Sequence, residues 1–164
     1  MTLLFAAIGA TVAALLEASL TPYLVVGHAN LHPVLVLGVI WTIAAGFERG
    51  VVVAFVGGLV LDILFAGSRP LGASAFALLV AVGGTVLILQ PMARLRTLAP
   101  IVAVPALSLV HSMLIYVLAS PGGVADPVGL LIPGAVFDGL LGLLVGPLVV
   151  SIHDRRMHVD RVDW

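Results

Sequence analysis

The chain contains no cysteine and no lysine; all seven basic residues are arginine. Without cysteine there are no disulfides, thiolate metal sites or cysteine nucleophiles. Charge is also scarce. Only 9% of the 164 residues are charged, against roughly 25% in a soluble domain. Walker A, dinucleotide-fingerprint and HExxH motifs are absent. The glycine pairs Gly57-Gly58, Gly83-Gly84 and Gly122-Gly123 are not phosphate loops, since the first two lie inside apolar runs. The net charge is −1, and no basic patch exists outside short loops, so nothing points to a nucleic-acid partner. The first twenty residues lack a positively charged n-region, so the first apolar segment is expected to stay as a helix.

What the chain has is apolar length. It is 62% hydrophobic, with mean hydropathy +1.27. No soluble fold of this size hides so much apolar surface. The runs are apolar throughout rather than alternating, which excludes a β-barrel. The expected class is an all-α polytopic membrane protein in a lipid bilayer. Six segments approach the roughly 17–25 residues that cross a bilayer: about 3–22, 31–47, 50–67, 71–89, 99–119 and 127–150. The second is at the short end, and the sixth opens on Asp126-Pro127, a cap residue followed by proline at the first helical position. Residues 1–150 thus form one transmembrane domain, and 151–164 a short charged tail. With the N-terminus inside, Arg49, Arg94, Arg96, Arg155, Arg156 and Arg161 lie on the cytoplasmic side and only Arg69 outside. This bias places both termini in the cytoplasm, with Tyr23 and Tyr116 near the outer interface.

Acids interrupt the apolar runs. Asp138 sits in a series spaced by four: Gly134, Asp138, Gly142, Gly146. Gly50, Ala54, Gly58, Asp62, Ala66 repeats the spacing, and so does Gly9, Ala13, Glu17; Gly38, Thr42, Gly46 follows it without an acid. Residues four apart share a helix face, and small residues there let backbones approach closely in membranes. A carboxylate at membrane depth costs a few kcal/mol, and no helix carries a basic partner near mid-depth. The acid must then be protonated, because desolvation raises its pKa, or accept hydrogen bonds. The candidate donors are His111, Ser108, Ser112 and Thr42. The small-residue faces are expected to pack helices, including those of a partner.

His28 and His32 are four apart, but Pro33 follows and no third ligand is evident, so no metal site is expected. Ser108 or Ser112 with His111 and Asp138 lacks any nucleophile elbow. No catalytic residue and no cofactor are expected, and the chain reads as non-enzymatic.

The stretch Phe55–Leu78 resembles the rod shape-determining protein MreD family. That family carries Gly-Leu-x-x-Asp at the end of its third helix, here Gly58-Leu59-Val60-Leu61-Asp62. A short loop follows, then Leu-Gly-x-x-Ala, here Leu71-Gly72-Ala73-Ser74-Ala75. Length, span count and charged tail match as well. Two positions depart from the pattern: Pro33-Val34 stands where the family often has Pro-Asp, and Gly83-Gly84 where Gly-Tyr is common. The resemblance implies a scaffold subunit of the bacterial elongation complex in the inner membrane. Its partners would be an MreC-like protein and, through it, RodA, a class B penicillin-binding protein and, indirectly, MreB. The resemblance also implies a compact six-helix bundle like the substrate-binding S-components of energy-coupling-factor vitamin transporters. A vitamin-binding S-component is therefore the alternative function.

Overall fold

The computed structural model describes residues 2–20, 23, 30–91, 95–119 and 127–159. Six helices follow one another: α1 (Thr2–Leu20), α2 (Pro33–Ala45), α3 (Phe47–Leu64), α4 (Ala73–Leu89), α5 (Ala99–Ala119) and α6 (Pro127–Val159). Three stretches, Leu3–Leu20, Ala99–Ala119 and Leu131–His153, are long and apolar enough to cross a membrane. The others differ from the expected spans for local reasons. α2 has 13 residues, about 20 Å at 1.5 Å per residue, against a hydrocarbon core of about 30 Å. α3 carries Glu48, Arg49 and Asp62 within its 18 residues, and α4 has 17. α6 continues past residue 150 to Val159, so the charged tail begins as helix.

The boundaries have clear causes. Pro33 opens α2, where its missing N–H is no loss and its φ is preset. Gly46 separates α2 from α3 with φ 100° and ψ 163°, a conformation essentially restricted to glycine. Gly72, at φ 92°, turns the chain into α4.

The shortest helix is the central one. α2 contacts all five others, and the other main contacts run α1 to α3, α3 to α4, α4 to α5 and α5 to α6. The main core collects around it: Val34, Leu35, Val39, Ile40 and Ile43 are buried with Leu61, Leu78, Val82, Val104 and Leu107 from the surrounding helices. Outward, the bundle shows apolar side chains such as Phe5, Ile63, Leu87 and Leu144. Such a surface suits lipid rather than water.

The small-residue faces pack inside this chain. A Cβ on Gly58 would stand 2.3 Å from the Ala75 Cα, so α3 and α4 meet backbone to backbone. On α6, Gly142 lies against Val104 and Gly146 against Pro100 of α5. Gly134 lies against the Asn30 carbonyl, and Gly50 lies against Thr42. Ala13 is buried in the main core.

Three glycines should separate by their surroundings. Gly46→Ala should cost about 1–3 kcal/mol, the usual cost of a residue held in a sparsely populated backbone region. Gly58→Leu should be worse, because the obstacle is Ala75 backbone. Gly83→Ala meets nothing within 4 Å and should be neutral or stabilising by about 0.5–1 kcal/mol on helix propensity. Thermal unfolding in detergent, followed by circular dichroism, checks the order. Equal melting points for the Gly46 and Gly83 variants would refute it.

Candidate functional site

Helix ends carry backbone N–H and C=O groups with no partner in the helix. For α2 and α4 these ends lie inside the bundle, and the acids of the apolar runs meet them. Asp62, on the last turn of α3, is 1% exposed. Its carboxylate accepts from the N–H groups of Gly72 (2.9 Å), Ser74 (2.9 Å) and Ala75 (3.3 Å). It caps α4 from a neighbouring helix, a role usually filled by a residue just before the helix. Glu17 of α1, also buried, accepts from the Val34 N–H at the start of α2, 3.1 Å away.

Asp138 is the most enclosed, with 0% exposure. It accepts from the His32 backbone N–H at 2.8 Å, and its second oxygen lies 2.8 Å from the His32 Nδ1. The Ser108 hydroxyl of α5 donates to the same second oxygen at 2.5 Å. α6 and α5 are thereby tied to the residue that precedes α2. Gly134, one turn earlier on α6, leaves the space for Asn30 and His32 to approach.

The opposite end of α2 is matched by a cation. The Arg96 guanidinium donates to the carbonyls of Ile43 and Ala44, at 2.9 Å for the second. Anions at the N-terminus and a cation at the C-terminus both agree with the helix dipole.

The candidate donors divide. Ser108 bonds Asp138 as expected. Thr42 does not meet an acid; its hydroxyl donates to the Gly38 carbonyl of its own helix at 2.7 Å. His111 does not bond Asp138 either. Its ring stands edge-on to His32, centroids 5.1 Å apart, and neither ring nitrogen has a hydrogen-bond partner. Ser112 is half-buried in the wall of a cleft near it. His28 lies outside the described residues, and no group of three or more His, Asp or Glu among the described residues could hold a metal ion.

Sequence reasoning missed His32, Arg96, Arg69, Asn30 and Tyr116 as site residues. His32 is the basic partner that no membrane helix supplied, because it stands just before α2. Its position next to Pro33, at the start of a short helix, was the one local signal.

Two adjoining clefts open at this end of the bundle. Both include Asn30, His32 and Arg69; one extends to His111, Ser112 and Tyr116, the other to Glu17 and Ser68. The Arg69 guanidinium lies over the Phe65 ring, 4.7 Å from its centre. Burial lowers its pKa, while Asp62 and Glu17 hold it up; an arginine stays charged throughout. No protein-family model, curated protein or solved structure matches the chain.

The ties at Asp138 and Asp62 differ in what their loss exposes. Ser108→Ala leaves both His32 contacts and should cost about 1 kcal/mol, the net worth of an ordinary hydrogen bond. Asp138→Ala and Asp62→Ala leave buried N–H groups without acceptors, at about 1–3 kcal/mol for each group. Melting temperatures in detergent should therefore fall slightly for the serine variant and steeply for both aspartate variants. A Ser108 variant as damaged as the Asp138 variant contradicts this ranking.

Proposed function

We propose that this chain is a six-span, non-enzymatic subunit of a bacterial inner membrane, an MreD-type scaffold of the elongation complex. One observation carries the reading. The two halves of the sequence resemblance form a single physical device: Asp62 accepts from Gly72, Ser74 and Ala75, and Gly58 lies against Ala75. Residues separated by a loop are related here as a clamp and the helix end it holds. In this reading the shorter helices also cross, in a bilayer thinned or bridged by their capped ends, and the arginine bias sets both termini in the cytoplasm.

In this reading the docking surface lies on the outside of the bundle. The glycine faces and the acids are occupied within the chain, so a partner meets the apolar exterior instead. An apolar groove of about 230 Å³ runs between α1, α2 and α6, lined by Ala13, Leu16, Leu37, Trp41, Leu141 and Val145. The Trp41 indole N–H is buried there without an acceptor. A membrane helix of an MreC-like protein fits this groove, filling it with apolar side chains and offering an oxygen to the indole. RodA, the penicillin-binding protein and MreB join through that partner.

The test is affinity purification of the tagged full chain from host membranes, with mass spectrometry of what accompanies it. Wild type should retain an MreC-like protein. Val145→Trp fills the groove from its 40% exposed rim and should cut that recovery at least several-fold, with the melting temperature unchanged. Recovery of ABC-type ATPases with a coupling subunit would replace the scaffold by the vitamin-transporter alternative.

A further inference from the structure

At the outer end of the bundle, by the arginine count, buried donors converge on a space that no described residue fills. The cleft has a volume of about 170 Å³ and is bounded by Asn30, His32, Arg69, His111, Ser112 and Tyr116, among others. His111 is 2% exposed. Both its ring nitrogens, the Arg69 Nε and the Tyr116 hydroxyl are buried with no hydrogen-bond partner. Buried polar groups are nearly always paired, because an unpaired one forfeits its hydrogen bonds to water without replacement. Four such atoms around one cavity are therefore an unfinished site.

We propose that this cleft binds an oxyanion, the phosphate or carboxylate group of a small solute or of a lipid headgroup.

The charge distribution selects the sign. Arg69 brings a permanent positive charge with a planar fork of donors suited to carboxylate and phosphate. The tyrosine and serine hydroxyls and the histidine N–H add donors. Among the described residues, no carboxylate lines this cleft. Asp138, behind the wall residue His32, has its oxygens turned to His32 and Ser108. Glu17 lines the adjoining cleft, which shares Asn30, His32 and Arg69 with this one. Gly134 also lines the cleft, and its lack of a side chain leaves room beside His32. The remaining wall, Ile115, Ala119 and Leu131, is apolar and suits the aliphatic part of a solute or a lipid. The site is independent of the scaffold reading, and losing either leaves the other standing.

The experiment uses the full chain in phosphatidylcholine nanodiscs. Inorganic phosphate and acetate are titrated calorimetrically, and native mass spectrometry counts phosphatidylglycerol retained from mixed nanodiscs. Wild type should bind one phosphate or acetate, or retain one phosphatidylglycerol. Arg69→Met should weaken binding at least tenfold. Tyr116→Phe, which removes only a hydroxyl, should weaken it several-fold. Arg49→Met, on α3 away from the cleft, should bind as wild type. Saturable phosphate or acetate binding names a soluble anion, and phosphatidylglycerol retention without it names a headgroup. The proposal is overturned if folded wild type binds none of the three, or if the Arg69 and Tyr116 variants bind as well as wild type.

Discussion

Everything in this bundle depends on satisfying the two ends of α2. A helix of 13 residues spans about 20 Å, so at the centre of a bilayer protein its ends fall short of water. Backbone groups in hydrocarbon cannot be left open, since each costs several kcal/mol. Here side chains from other helices close them: Glu17 and Asp138 at the N-terminal end, and Arg96 at the C-terminal end. The signs of those charges follow the helix dipole. The acids are thus tolerated in apolar helices because they replace water at buried helix ends.

The same constraint explains the glycines. A carboxylate reaches the backbone of a neighbouring segment only if the two approach closely. Gly58 lets α3 come against Ala75 one turn before Asp62 caps α4, and Gly134 lets the start of α2 come against α6 one turn before Asp138. Small residue and acid, four apart, work as one unit. The residue without side chain sets the distance, and the acid uses it.

A bundle tied internally in this way has few polar groups left over, and those left over gain meaning. Arg69, His111 and Tyr116 stand around one cleft near the start of α2, while Trp41 sits alone in an apolar groove on another side. The first arrangement is polar and carries a cation, and the second is apolar apart from the indole N–H.

The sequence alone determined the class and most of the helices. Apolar runs are local properties, so α1, α4 and α5 lie close to where run length and composition put them, whereas the break at Gly46, inside the expected second span, came from the structure. The spacing of four also marked Asp62, Asp138 and Glu17 as special, because an acid on a small-residue face is unusual chemistry wherever it folds. Only the tertiary structure decided what those acids bind. His32 lies 106 residues from Asp138, and Arg96 lies 53 from Ile43. The centrality of α2 was equally hidden, since a short helix at the centre of a bundle and one at its edge have the same composition. The meeting of Arg69, His111 and Tyr116 at one cleft was hidden for the same reason: position in a bundle is set by packing against every other helix, and no window of sequence contains that.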